Sequence, residues 1–305
     1  MSDILFGPVA SRRFGKSLGI DLSPARKQCN FDCVYCELDP APTVERATEV
    51  PPVEEILDAV RRGLAEYPDI DVLTVTANGE PTLYPYLEEL VEGLDAIRGP
   101  VRSLILSNAS TIHRPEIRRT LARFDTVKLS LDCATPRCFR RIDRPHPSVD
   151  LAAIKEGMLA FRREYAGALI VEILVVRGIN DKAAEIAALD DYLLRLRPDR
   201  IDLGTIDRPP AYAVEPVDYA TLRELSLRFD PSLSLHITSR KELGTLTPSS
   251  YDEEEILRTL RKRPLTPEDV KLLFDEESRQ RLETLRKEGR IGTRENHGVK
   301  FYVPT

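Results

Sequence analysis

The sequence has 305 residues, of which 42% are hydrophobic and 31% are charged, and this composition is typical of a globular protein with one large domain and room for a small second one. Its formal net charge of −6 argues against a protein that binds nucleic acid mainly through electrostatic attraction. No apolar run approaches the ~20 residues that span a bilayer, and the N-terminus lacks the apolar core of a secretion signal, so we expect a cytoplasmic protein with no membrane partner.

Strand and helix patterns alternate along most of the chain. Short segments rich in Val, Ile and Leu predict six strands: Leu18–Leu22, Val72–Ala77, Ser103–Ser107, Val127–Leu131, Leu169–Val175 and Arg200–Gly204. Amphipathic stretches between and after them predict six helices: Val53–Glu66, Tyr84–Ile97, Pro115–Phe124, Leu151–Tyr165, Ala183–Arg195 and Tyr219–Arg228. Six βα units in series favour an α/β fold, a partial (βα)6 TIM-type barrel over residues 1–244, with a doubly wound open sheet as the alternative. In either fold, active-site residues lie just after the C-terminal ends of the strands.

The composition changes near Gly244–Ser250, which reads as a linker. Beyond it, residues 251–305 predict a small second domain with three helices, at Glu253–Arg263, Thr266–Phe274 and Glu277–Glu288, and a hairpin within Arg290–Val303. This order resembles a winged helix, a module that often binds nucleic acid. The domain has 12 Lys and Arg against 12 Asp and Glu, so any basic face must come from residues of the last helix and hairpin: Arg279, Arg281, Arg286, Lys287, Arg290, Arg294 and Lys300. Recognition of a peptide, a lid and a dimer contact are the alternative roles.

Three cysteines, Cys29, Cys33 and Cys36, follow the first predicted strand with the spacing CxxxCxxC, which lets three thiolates converge on one centre. A structural zinc normally takes four protein ligands, and after Cys36 the next His and Cys residues are the distant His113 and Cys133. Three thiolates suit a 4Fe–4S cluster that leaves one iron open, since most such clusters take four. Zinc, or a redox sensor with a distant fourth ligand, is the alternative.

This spacing, in the loop after the first barrel strand, resembles the hallmark of the radical S-adenosylmethionine (SAM) superfamily, and the resemblance extends over residues 5–240. It implies one 4Fe–4S cluster, bound by the three cysteines, and SAM as cofactors. In that family the open iron chelates the methionine part of SAM. One electron from the cluster then cleaves SAM to methionine and a 5′-deoxyadenosyl radical, which takes a hydrogen atom from the substrate. The aromatic residue before the third cysteine, here Tyr35, is expected near the adenine.

Further positions carry the same resemblance. The segment Asn78-Gly79-Glu80-Pro81 follows the second strand, where the family has a Gly-Gly-Glu-Pro segment that holds the SAM ammonium. Asn78 replaces the first glycine of that segment. Polar residues at the next two strand ends resemble the family's ribose and carboxylate contacts, and an arginine-rich segment after the fourth strand offers a clamp for a carboxylate or phosphate. The cofactor-binding residues expected on this basis are Tyr35, Asn78, Gly79, Glu80, Asn108, Ser130, Asp132 and Arg144.

Four of these side chains also have ordinary structural interpretations. Tyr35 could be a loop tyrosine that packs on the barrel rim, Ser130 a core hydroxyl, Asp132 a helix cap, and Arg144 part of a solvated ion pair. Cys133 directly follows Asp132 and is a candidate catalytic thiol, because thiols donate hydrogen atoms; the alternative is a small buried thiol.

The stretches FGPVASRRFGKSLGIDLSP, NGEPTL, RIDRPHP and DRPP together resemble a branch of small radical SAM proteins related to the enzymes that build the base wyosine in tRNA. Those enzymes carry additional cysteines near the N-terminus, and none precedes Cys29 here. The resemblance implies hydrogen abstraction from tRNA, another RNA or another macromolecule, with a flavodoxin- or ferredoxin-type electron donor. The alternatives are a peptide or small-metabolite substrate and, from a different class of function, a non-catalytic iron–sulfur regulator that senses redox state.

Overall fold

An eight-stranded sheet organises the computed structural model, which describes residues 4–11, 14–238, 248, 250–262, 264–296 and 299–305. The strands lie side by side in chain order, so each βα connection places the next strand beside the last. β1 is antiparallel to β2, and from β2 to β8 every pairing is parallel. The strands are β1 (Leu5–Ser11), β2 (Gly15–Asp21), β3 (Val72–Thr76), β4 (Arg102–Ser107), β5 (Thr126–Ser130), β6 (Ala168–Val175), β7 (Arg200–Thr205) and β8 (Leu235–Ile237).

Helices connect the parallel strands and cover one face of the sheet. They are α1 (Val53–Glu66), α2 (Leu87–Ile97), α3 (Pro115–Leu121), α4 (Pro136–Ile142), α5 (Leu151–Glu164), α6 (Ala183–Leu196) and α7 (Tyr219–Ser226). The strand residues that face them are fully buried, as in β6, where Val171 and Ile173 alternate with Glu172. The opposite face carries charge, because Lys128 of β5 pairs with Glu172 and lies 3.4 Å from Asp202 of β7.

The predicted fold class is confirmed: the parallel strands and their helices form the partial barrel. The six predicted strands correspond to β2–β7, and the six predicted helices to α1, α2, α3, α5, α6 and α7. The prediction missed β1, β8 and α4. β1 contains Pro8 and a register shift between Phe6 and Val9, which break the strand pattern, while β8 has only three residues.

The C-terminal residues form three helices and a hairpin, in the predicted order, around a hydrophobic cluster of their own. These elements are α8 (Glu253–Lys262), α9 (Pro267–Leu273), α10 (Glu276–Lys287), β9 (Ile291–Asn296) and β10 (Val299–Pro304). The Tyr67 hydroxyl at the end of α1 donates to Glu255, 2.5 Å away, and the Tyr251 hydroxyl donates to the Pro8 carbonyl of β1. The predicted boundary at Gly244 lies outside the described residues, so the division into two domains and the likeness to a winged helix stay predictions. Among the described helices, none combines the length and apolar character needed to cross a membrane.

Candidate active site

The three cysteines lie in the long loop between β2 and α1, and each has a free, partly buried thiol. Their loop is tied to the loop after β3 by main-chain hydrogen bonds. The Gln28 N–H donates to the Asn78 carbonyl at 2.7 Å, and the Glu80 N–H donates to the Gln28 carbonyl at 3.1 Å. The buried Asp21 carboxylate, at the end of β2, accepts the N–H groups of Ser23 and Asn78 and so fixes both loops to the sheet.

Gly79 makes this close approach feasible. Its φ is +136°, in the region that favours glycine, and an added Cβ would lie 1.9 Å from the Gln28 carbonyl oxygen. No side chain fits at that distance, so the contact between the two loops requires a glycine.

Other segments brace the cysteine loop from the opposite side. The Val34 N–H donates to the Ile142 carbonyl at the end of α4, and the Asp32 N–H donates to the Asp143 carbonyl. The loop after β7 contributes three further contacts: the Ala211 N–H donates to the Cys36 carbonyl at 2.8 Å, the Tyr212 hydroxyl donates to Asp32 Oδ2 at 2.6 Å, and the Arg208 guanidinium pairs with Glu37 at 3.1 Å. Segments from four strand ends therefore converge on the cysteines.

The sulfur positions bear on the choice between zinc and an iron–sulfur cluster. Around one tetrahedral zinc, sulfurs at 2.3 Å from the ion are about 3.8 Å apart. Cys29 Sγ, Cys33 Sγ and Cys36 Sγ do not all lie within 4.8 Å of one another. The donor set therefore fits a cluster of several irons better than a single ion.

Burial makes these thiols hard to ionise in the absence of a positive centre. Burial, followed by the charge of Glu80, raises the pKa of Cys29 to about 12, and burial also raises the pKa of Cys33 and of Cys36. Metal ligation requires the thiolate, so a positive metal centre here would bind with release of protons.

The Glu80 carboxylate is 2% exposed and is held by four hydrogen bonds. Oε1 accepts the Thr82 N–H, the Thr82 hydroxyl and the Ser107 hydroxyl, and Oε2 accepts the Asn108 N–H at 2.6 Å. Burial raises the pKa of Glu80, while these bonds oppose the rise. Oε2 keeps a lone pair for one more donor. Asn108 Nδ2 lies 3.6 Å from Cys29 Sγ, so this strand end also contacts the cysteine loop.

A second set of carboxyl groups lies on the other side of the cysteines. The Tyr35 hydroxyl donates to Asp132 Oδ2 at 2.5 Å, and Asp132 Oδ1 accepts the Leu174 N–H. The Cys33 thiol lies 3.5 Å from Asp143 Oδ1. Burial raises the pKa of Asp132 to about 7, and burial together with the charge of Asp132 raises the pKa of Asp143.

A cavity joins these groups, and it brings five of the predicted site residues together. Its lining residues are Phe31, Tyr35, Asn108, Ser130, Leu131, Asp132, Cys133, Phe139, Asp143, Leu151 and Ile154. One wall of the cavity is apolar, because Phe31 and Phe139 pack edge to face there, with ring centroids 5.4 Å apart. Such a cavity, with a few convergent polar groups, is the usual form of a small-molecule site.

Two predicted residues have contacts that the sequence did not indicate. Arg144, in a left-handed conformation with φ of 44°, lies with its guanidinium 4.3 Å from the Tyr212 ring and 3.6 Å from Asp32 Oδ2. Cys133 is fully buried and forms a disulfide with Cys138 of α4, so it has no thiol hydrogen to donate in this state. Its catalytic assignment stays a prediction.

The sequence analysis missed Asp21, Asp143 and Lys27. Asp143 lies in the arginine-rich segment that the sequence had marked, and Lys27 lies two residues before Cys29. The Lys27 side chain is 8% exposed, and its Nζ is 3.8 Å from Asp32 Oδ1. Burial lowers the pKa of Lys27, but the charges of Cys36, Cys29 and Asp32 outweigh that effect and hold it above its usual value.

Comparisons with known proteins agree with this geometry. A model of the radical SAM superfamily matches residues 26–189. A UPF0026 protein of Helicobacter pylori (strain J99) is 40% identical over 300 residues, which are 98% of this chain and 97% of the relative. Two solved structures share the fold. TYW1 with a lysine–pyruvate adduct bound has a TM-score of 0.50 and 17% identity, over 71% of this chain and 74% of that one. Streptococcus suis SuiB bound to S-adenosylmethionine has a TM-score of 0.55 and 17% identity, over 77% of this chain and 55% of that one.

Proposed function

This chain belongs to the radical SAM superfamily, and we propose that it abstracts a hydrogen atom from a macromolecular substrate, of which RNA is the first candidate. Membership makes it an enzyme with a 4Fe–4S cluster and SAM as cofactors. When bound, these cofactors supply one electron and a 5′-deoxyadenosyl radical that removes hydrogen from the substrate. The observation that carries the proposal is the convergence of the cysteine loop, the Glu80 loop and the cavity at one end of the barrel.

We assign the protein groups as follows. Cys29, Cys33 and Cys36 bind the cluster. Glu80 Oε2 has the free lone pair needed to accept a hydrogen bond from the SAM ammonium, beside the backbone of Asn78 and Gly79. The remaining polar groups line the cavity in which the nucleoside part would lie, namely Tyr35, Asn108, Ser130 and Asp132.

Tyr35 is held in one orientation, because its hydroxyl is bonded to Asp132 and Asp132 is bonded to the backbone of β6. A ring fixed in this way offers a flat apolar surface for an adenine without the entropy cost of ordering a mobile side chain. The burial of Phe31 and Phe139 beside it excludes water from the cavity wall.

The distribution of arginines supports an anionic macromolecule as the substrate. Arg137, Arg140 and Arg141 project from the exposed face of α4, the helix whose end bonds to the cysteine loop. None of the three has a salt bridge to a described residue. Arginines without an internal partner, next to the active site, suit the phosphates of an RNA.

The C-terminal arginines have a different environment. Arg279, Arg281 and Arg286 of α10 pair with carboxylates of the same helix, at 2.7, 2.5 and 2.6 Å, and Arg290 pairs with Glu253 of α8. Their charge is therefore largely balanced within the protein. We assign the RNA contact to α4 rather than to the C-terminal module, and we propose a flavodoxin- or ferredoxin-type protein as the electron donor.

SAM cleavage tests the reaction. We expect the anaerobically reconstituted chain to produce 5′-deoxyadenosine from SAM and dithionite, and a variant with Cys29→Ala, Cys33→Ala and Cys36→Ala to produce none. The matched control carries Cys133→Ala and Cys138→Ala, which removes two other cysteines and leaves the cluster ligands in place. It should still cleave SAM. A cluster that forms but never cleaves SAM, even with cell extract supplied as substrate, would contradict an enzymatic role.

The substrate class is tested by nucleoside analysis. We expect digests of tRNA or rRNA from a deletion strain to lack one modified nucleoside, and complementation with the wild-type gene to restore it. Unchanged digests from both RNA pools, with SAM cleavage intact, would reject RNA and leave a peptide or a metabolite as the substrate.

A further inference from the structure

Cys133, Cys138 and Glu185 form a buried group of side chains beside the cavity. Their ligand atoms, two sulfurs and one carboxylate oxygen, all lie within 4.8 Å of one another. Cys133 follows the end of β5, Cys138 lies in the first turn of α4, and Glu185 belongs to α6. Three separate elements therefore direct two sulfurs and a carboxylate to the same point.

Glu185 is held in one orientation by the segment between the two cysteines. Its carboxylate is buried, and Oε1 accepts the N–H groups of Ala134 and Thr135 at 2.5 and 3.0 Å. Oε2 accepts the Thr135 hydroxyl at 2.6 Å. A carboxylate oxygen has about two lone-pair sites, so Oε2 keeps one for a further partner. Hydrogen bonds of this kind commonly orient a carboxylate that binds a metal ion.

A lysine beside this group balances the charge that a metal site would place in the interior. Two thiolates and one carboxylate around a divalent ion leave one net negative charge. The Lys155 Nζ donates to the carbonyl of Ala134, the residue after Cys133, at 3.1 Å. Its ammonium therefore lies where it can pair with that charge, which makes the burial less costly.

Cys133 and Cys138 are joined by a disulfide in this structure. A disulfide does not bind a metal ion, because the ligand is the thiolate. An external dithiol breaks the S–S bond: it transfers two electrons and two protons, becomes a disulfide itself and leaves two thiols. The two Cα atoms are 5.7 Å apart. Rotation about the Cα–Cβ bonds can then bring the sulfurs to the spacing of about 3.8 Å that tetrahedral zinc requires.

We propose that reduction of this disulfide opens a Zn²⁺ site whose protein ligands are Cys133 Sγ, Cys138 Sγ and Glu185 Oε2. Zinc accepts this combination of sulfur and oxygen donors, and its binding releases the two thiol protons. Three protein ligands leave a fourth tetrahedral position. Cys133 lines the cavity, so that position is open to water or to an anionic group bound there. The inference is independent of the proposed function, because none of the three residues is a cluster ligand.

The test is a metal titration of the full-length chain with the three cysteines of the CxxxCxxC motif replaced by Ala, which leaves Cys133 and Cys138 as its only cysteines. This parent variant is reduced with dithiothreitol, freed of it by anaerobic gel filtration and titrated with Co²⁺. We expect about one Co²⁺ per chain, with thiolate-to-cobalt charge-transfer absorption. Zn²⁺ should displace it, since tetrahedral thiolate sites favour zinc.

Variants of the ligands identify the site. Cys138→Ser removes one thiolate and should abolish Co²⁺ uptake. Glu185→Gln should weaken binding at least about tenfold, since the loss of an outer partner alone costs about 10- to 100-fold. Asp191→Asn, on the exposed face of the same helix, is the matched control and should bind as tightly as the parent variant. The oxidised parent variant should bind no Co²⁺.

Three results would overturn the inference: no Co²⁺ uptake by the reduced and folded parent variant, uptake that Cys138→Ser leaves unchanged, or equal uptake by the oxidised protein. If the parent variant does not fold, the comparison uses the reduced wild-type apoprotein, in which Cys138→Ser must bind fewer Co²⁺ ions. An equal number there also overturns the inference. All of these measurements are made without a cluster or SAM, so SAM cleavage tests the proposed function separately.

Discussion

The Glu80 carboxylate shows how one residue can serve both the scaffold and a ligand. Three of its hydrogen bonds converge on Oε1 and one on Oε2, and all four donors belong to the ends of two strands or the turns that follow them. Removing the carboxylate leaves buried N–H groups of Thr82 and Asn108 unpaired, at a cost of about 1–3 kcal/mol for each such group. The residue thus fixes the site before SAM arrives.

We predict that Glu80→Ala weakens SAM binding about tenfold or more, because a hydrogen bond to a charged group contributes about 1.5–3 kcal/mol. The iron content should stay at the wild-type level, since Glu80 is not a cluster ligand. Isothermal titration calorimetry and iron analysis measure the two quantities. Glu88→Ala, on the exposed face of α2, is the control and should bind SAM normally. Equal SAM affinity in both variants would remove Glu80 from the site.

Residue types and spacing were enough to predict the cysteines and Glu80 as site residues, because both belong to short continuous motifs. They were not enough to indicate that Asp143 and Lys27 are buried near the cysteine loop. Asp143 acts on Cys33 from 110 positions along the chain, and a contact of that separation leaves no local pattern. Lys27 was adjacent to the motif, but a lysine in a charged loop is usually solvated, and only the structure reveals its burial.

At the scale of elements, burial decided which predictions held. β2–β7 each carry buried Val, Ile or Leu residues that pack under helices, and these short apolar segments are visible in the sequence. α4 has seven residues, of which four are exposed, and its start depends on the Thr135 side chain, which accepts the Cys138 N–H. Short elements that are stabilised by caps and tertiary contacts give too weak a periodic signal to predict.

The turn after β3 provides a prediction at this scale. Gly79→Ala should prevent the cysteine loop from docking, because the new Cβ would overlap the Gln28 carbonyl oxygen. Gly178→Ala is the matched control: its φ is also positive, at +74°, but nothing lies within 4 Å of the added Cβ. It therefore isolates the backbone cost, about 1–2 kcal/mol.

We expect the reconstituted Gly79→Ala variant to hold much less iron per chain than wild type, and Gly178→Ala to hold the wild-type amount. Iron and sulfide analysis, with the absorbance of the cluster, distinguishes the two. Equal iron content in both variants would show that the contact between the loops is dispensable for cluster binding.

At the scale of the whole molecule, the net charge of −6 conceals an uneven distribution. The arginines of α10 are paired internally, whereas those of α4 are exposed and have no salt bridge to a described residue. Composition counts both sets of arginines alike, so the sequence left a basic face on the C-terminal module possible, beside a peptide site, a lid and a dimer contact. The pairing that distinguishes them depends on the i,i+3 and i,i+4 geometry of a formed helix.

A comparison of two triple variants tests this distribution with bulk tRNA as the probe. Replacing Arg137, Arg140 and Arg141 together by Gln should make the slope of log association constant against log salt concentration less negative by about 2. Each phosphate contact contributes about 0.7–0.9 to the steepness of that slope. Replacing Arg279, Arg281 and Arg286 by Gln changes the net charge equally and should leave the slope near wild type. Fluorescence anisotropy at several salt concentrations measures both. The reverse result would move the RNA contact to the C-terminal module.

The contacts that brace the cysteine loop span most of the barrel sequence. Asp32 and Tyr212 are 180 residues apart, and Glu37 and Arg208 are 171 apart. The cysteines therefore leave the ribosome long before the segment that completes their surroundings, and contacts of such separation form late in folding. The bracing contacts from the loop after β7 can therefore form only once the chain has been synthesised at least to Tyr212.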